Sequence, residues 1–136
     1  QDNAQLDMIR RLPDQVAAEL EGFHFKAAVE RIMAAARESN RYFDFKEPWV
    51  QRKSDIVACS TTINVLLNTI KVLCVVMEPF LPFSAEKLSR ILSCERGELR
   101  WAEATCPLPE GRRLGEPKIL FSKLELPPEP TPGGEG

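Results

Sequence analysis

Residues 54–78 read SDIVACSTTINVLLNTIKVLCVVME, and the fold follows from this stretch. Ile56, Cys59, Ile63, Leu66, Leu67, Ile70, Leu73, Cys74 and Met77 recur at helical spacing on a wide apolar face. Ser54 or Asp55 can cap such a helix, and Pro79 and Pro82 end it and turn the chain. Asn64, Asn68, Thr69 and Lys71 interrupt the apolar run. That favours a buried core helix over a membrane span, and a helix this apolar belongs at the centre of a bundle.

Upstream, residues 4–21 carry Leu6, Ile9, Leu12, Val16 and Leu20 at helical spacing. Asp2 or Asn3 is the expected cap, Pro13 should kink or split the helix, and Gly22 breaks it. A second helix is expected over 25–40, with Phe25, Val29, Ile32, Met33 and Ala36 inward, and Ala34, Ala35 and Ala36 letting a neighbour approach closely. Downstream, Ser84 can cap a shorter helix whose Leu88, Ile91 and Leu92 pack inward. Residues 94–114 are irregular, with Trp101 as anchor, and 118–126 form a short strand or extended closing segment. Short loops make consecutive helices antiparallel. The fold class is all-α: an antiparallel helical bundle with an irregular C-terminal wrap. Its domain spans 1–126, followed by a Pro/Gly-rich tail or linker over 127–136.

The 136 residues suffice for one domain with its own core. Formal net charge is −2, which speaks against a whole-surface nucleic-acid binder and leaves room for a local basic patch. Cys59, Cys74, Cys94 and Cys106 form no Cys-x-x-Cys pair, and His24 is the sole histidine, so no metal is expected. The apolar setting of Cys59 and Cys74 reads as reduced thiols in a cytoplasmic compartment. Gln1–Asp7 is polar and resembles no signal peptide, and an opening without Met reads as a processed or excised chain. No Gly-rich phosphate loop or nucleophile elbow occurs, and His24 has no evident triad partner. No catalytic residue, membrane contact or cofactor site is expected within these residues.

Recognition chemistry concentrates in 26–53. Lys26, Arg31, Arg37, Arg41, Lys46, Arg52 and Lys53 outnumber the local carboxylates, and Tyr42, Phe43, Phe45 and Trp49 are interleaved with them. RNA readers stack unpaired bases on aromatic faces, each stack contributing roughly 1–3 kcal/mol. Pro48 disfavours helical geometry at Glu47, which puts Trp49 at a helix end or turn beside Arg52 and Lys53. Composition alone favours a packed, core Trp49, because aromatic side chains usually pack.

The run Asn40-Arg41-Tyr42-Phe43-Asp44-Phe45-Lys46-Glu47-Pro48-Trp49 resembles the Asn-x-Tyr…Pro-Trp signature of methionyl-tRNA synthetases. Phe25-x-x-Ala28-x-x-x-Ile32-Met33, Pro79-x-x-Pro82, Trp101 and Leu120-Phe121-x-Lys123-Leu124-Glu125 resemble further parts of that family, so the similarity spans about residues 15–126. The resemblance implies a helical domain that inspects the CAU anticodon of methionine tRNA. Trp49 would stack on an anticodon base, Pro48 would shape its turn, and Asn40 and Tyr42 would support the surface. Arg41, Lys46, Arg52 and Lys53 are expected as phosphate contacts by charge and proximity. Implied partners are the anticodon stem–loop and a covalently linked catalytic domain that uses ATP. That catalytic half lies outside these residues, as does a preceding bundle helix with further anticodon-reading Asn and Arg side chains. The chain alone is therefore expected to be inactive in methionine activation. The alternative, favoured by the slightly acidic balance, is a protein–protein interaction bundle that has kept the shape and lost RNA binding.

Overall fold

Asp55 accepts the Ala58 amide at 2.9 Å and so starts the central helix, Ile56–Met77. The computed structural model describes residues 1–124, and among these it contains helices and no strand. In chain order the helices are α1 (Asp2–Glu21), α2 (Phe25–Lys46), α3 (Pro48–Ser54), α4 (Ile56–Met77) and α5 (Pro82–Ile91). Two short 3-10 turns follow, at Arg96–Leu99 and Trp101–Glu103. The tail expected over 127–136 lies outside the described residues.

α1 and α2 run antiparallel. Asp2 at the start of α1 meets Tyr42 and Lys46 at the end of α2, while Glu19 meets Arg31 at the opposite end. The core joins Ile9, Leu12 and Val16 of α1 to Ala28, Ile32 and Ala35 of α2 and Val72 and Val76 of α4. Each fully buried valine side chain contributes on the order of 1.5–3 kcal/mol. Trp101 and Phe80 pack on this cluster from the C-terminal side, so the wrap is anchored as the sequence predicts. By length and composition α4 could cross a membrane, yet it is the core helix here, with Thr62, Thr69 and Lys71 buried within it.

Several local expectations are corrected. Neither Asp2 nor Asn3 caps α1: Gln1 precedes the helix without a side-chain cap, and Asp2 is turned to α2 instead. Pro13 does not split α1, which continues to Glu21 with Pro13 buried between the core residues Leu12 and Val16. α2 runs past residue 40 to Lys46. Its inward face is Ala28, Ile32, Ala35, Ser39 and Tyr42, whereas Phe25, Val29 and Met33 are exposed. Three of these five inward side chains are small, and α1 and α2 form the most extensive helix pair of the bundle. Within α4, Ile56 and Ile63 are exposed although the pattern predicts them inward. Ser84 makes no cap, because α5 already starts at Pro82. The closing segment is irregular through Leu124 and forms no strand among the described residues.

Candidate RNA interface

A sharp corner between α2 and α3 presents the sequence-predicted residues. Glu47 caps α2 in the left-handed region (φ 46°, ψ 59°), and its amide donates to the Phe43 carbonyl at 3.1 Å. A non-glycine residue there costs roughly 1–2 kcal/mol, and the following proline disfavours helical continuation as well. Pro48 then occupies the first turn of α3, where its missing N–H is no loss. The Glu47 carbonyl accepts from Val50 at 2.8 Å and Gln51 at 3.0 Å, closing the new turn. From α4, the Cys59 thiol donates to the Pro48 carbonyl at 3.4 Å.

Trp49 emerges from this corner half exposed, at 50 %. Its ring leans on Phe43 with centroids 5.3 Å apart and planes tilted by 58°. Phe43 is itself 39 % exposed, so the pair forms an aromatic step on the surface rather than a core contact. Arg52 and Lys53 follow Trp49 by three and four residues on α3 and therefore share its side of the helix. Both are exposed, and neither pairs with a carboxylate among the described residues.

The remaining predicted residues divide. Asn40 is exposed on α2. Tyr42 and Pro48 are buried and reach the surface only through what they hold. Arg41 is exposed and bonded to Glu38 at 3.1 Å. Lys46 is mostly covered, its ammonium 2.8 Å from Asp2. Tyr42 donates to the same Asp2 oxygen at 2.8 Å. The Lys46 and Tyr42 bonds hold the Asp2 carboxyl below its usual range. Burial, then the Asp2 carboxylate, pushes the Tyr42 phenol up. The buried Thr62 hydroxyl of α4 has no hydrogen-bond partner among the described residues. Phe43, Asp2 and Cys59 were not singled out as site residues from the sequence. Phe43 alone had a local signal, its place in the aromatic run. Among the described residues, no group of three or more His, Cys, Asp or Glu side chains converges to hold a metal ion.

The sequence matches the model of the anticodon binding domain of methionyl tRNA ligase over residues 1–127. The chain belongs to this family. Similar proteins include the methionine–tRNA ligase of Pyrococcus abyssi, 37 % identical over 123 residues, covering 90 % of this chain and 17 % of that protein. That of Porphyromonas gingivalis is 37 % identical over 126 residues, covering 91 % and 18 % respectively. The crystal structure of the apo form of Mycobacterium tuberculosis methionyl-tRNA synthetase superposes with a TM-score of 0.89 at 25 % identity, covering 93 % of this chain and 26 % of that one. The chain thus spans less than a fifth of the length of these curated relatives. As an anticodon-binding domain of this family it has the all-α architecture that the sequence predicts.

Proposed function

We propose that this domain recognises the anticodon of methionine tRNA within a methionine–tRNA ligase, with Trp49 stacking on an anticodon base. The observation that carries the reading is the half-exposed indole, backed by Phe43 and flanked by Arg52 and Lys53, cations without a carboxylate partner among the described residues. An open π-face beside positive charge suits an unpaired base and its phosphates. In this reading Arg52, Lys53 and Arg41 contact phosphate, while Lys46 would have to leave Asp2 to do the same. Asn40, Tyr42 and Pro48 shape and edge the surface. The partners are the anticodon stem–loop and a catalytic domain in the same polypeptide, where ATP-dependent chemistry takes place, in the cytoplasm. This domain contributes binding energy and register remote from the reacting ester. The family match gives no support to a bundle that has lost RNA binding.

The test is Trp49→Ala. Removing one stack should weaken binding of a CAU stem–loop by about 10- to 100-fold, with the melting temperature nearly unchanged. In the complete ligase, charging should fall correspondingly. Near-normal binding and charging by the variant would refute the stacking role.

A further inference from the structure

We propose that Asp2 is a positioning residue for Trp49: by tying Tyr42 to Lys46 it fixes the last turn of α2, and through Phe43 and Glu47 the direction in which the indole is offered. The inference rests on the reading that Trp49 stacks on RNA.

Asp2 lies 47 residues before Trp49 in the chain. One of its oxygens receives both donors, the Tyr42 hydroxyl at 2.8 Å and the Lys46 ammonium at 2.8 Å. Tyr42 and Lys46 are four residues apart on α2, so this oxygen spans its final turn. The Lys46 ammonium also stands 5.9 Å from the centroid of the Tyr42 ring. Within the same turn, Phe43 supplies both the ring under Trp49 and the carbonyl that receives the Glu47 amide. Glu47 departs in a left-handed conformation that a non-glycine residue keeps only when its surroundings impose it. From the other side, the bond between Cys59 and Pro48 ties the corner to α4. The corner is therefore clamped from α1 and from α4. The α1 clamp is the stronger of the two, because its hydrogen bonds end on an ionised carboxylate.

The test labels the whole chain with 5-fluorotryptophan. Two fluorine resonances report on Trp49 and Trp101, and Trp49→Phe assigns them. Asp2→Ala should shift or broaden the Trp49 resonance and leave that of Trp101 in place. Asp2→Asn keeps an oxygen for the Tyr42 hydroxyl but no charge for Lys46, and should fall between Asp2→Ala and the parent chain. Affinity for a CAU stem–loop should drop about fivefold in Asp2→Ala and recover partly in Asp2→Asn. The proposal is overturned if the Trp49 resonance stays put in Asp2→Ala, if both resonances move together, or if affinity is unchanged in a chain that binds. Should the parent chain not bind the RNA by itself, the affinity comparison is made in the complete ligase, where normal charging by Trp49→Ala sinks the stacking reading and the fluorine resonances still decide whether Asp2 orients the indole.

Discussion

The protein's two tryptophans, in the α2–α3 corner and in the C-terminal wrap, sit in opposite settings. Trp49 follows Pro48 at the start of α3, half exposed and supported from one side by Phe43. Trp101 opens a 3-10 turn and packs on the bundle core, its indole N–H sealed from solvent and without an acceptor among the described residues. Burial without a hydrogen bond is costly for an indole, so Trp101 earns its place by packing. Trp49 gives up packing and keeps an open face. A residue's type does not separate a packed anchor from an open ring; the neighbours that cover it do.

Substitution of each ring separates the two roles. Trp49→Ala should cost RNA affinity and little stability. Trp101→Ala should lower unfolding free energy by about 2–3 kcal/mol, read by urea denaturation, because a cavity opens beside the core. RNA affinity of the remaining folded Trp101→Ala chain should stay near the parent value. Equal stability losses in the two variants would erase the distinction.

Lys71 sharpens the contrast from the wrap side. Its side chain is buried in α4, and its ammonium donates to the carbonyls of Glu103 at 2.9 Å and Cys106 at 2.7 Å. Lys71→Met keeps the length of the stem and strands both carbonyls, a loss of about 1–3 kcal/mol. Limited proteolysis should then cut first among Arg100, Arg112 and Arg113, before α1–α4 open. Simultaneous loss of the whole bundle would mean that wrap and core form a single cooperative unit.

Smaller effects belong to the cations of the corner. Arg52→Ala or Lys53→Ala should weaken RNA binding a few-fold. Each should also reduce the slope of log affinity against log salt by about one. A slope that does not change would remove that side chain from the phosphate contacts.

The smallest effects separate the regions by pH. Arg112 hydrogen-bonds Glu98 in the wrap and holds its carboxyl low, as Lys46 and Tyr42 do for Asp2 in the corner. Groups with depressed folded-state values stabilise above their unfolded pKa and lose that contribution as pH falls through the folded one. Both regions should therefore loosen below about pH 4. In alkali the order differs. Burial raises the Cys74 thiol to about 11, and burial also raises Cys94. Groups with raised values stabilise fully below their unfolded pKa, so the wrap side weakens from about pH 8.5. The corner, through Tyr42, weakens only from about pH 10. Near-ultraviolet dichroism of the tyrosine and tryptophan bands would follow both.

Much of this division was legible in the sequence. α4 announces itself through its apolar content and the Asp55 cap, and Pro48 correctly puts Trp49 at a helix end. The inward face of α2 was misread because periodicity weights large side chains. Packing within the bundle buried Ala28, Ala35 and Ser39 instead and left Phe25, Val29 and Met33 outside. The end of α2 was misplaced because Asn40–Lys46 is polar and aromatic in a mixture that carries no helical stripe. Asp2 looks like a cap because local pattern offers nothing else for an acid at a helix start. Its partners stand at Tyr42 and Lys46, beyond the reach of any local rule.

Among the described residues the fastening at Lys71 grips main-chain oxygens and no side chain of the wrap. Any amino acid at positions 103 and 106 presents the same carbonyls, so these two positions can change without loosening the lysine, while the buried Ala104 between them and Trp101 before them stay tied to the packing. At those two places the letters can change while the path holds.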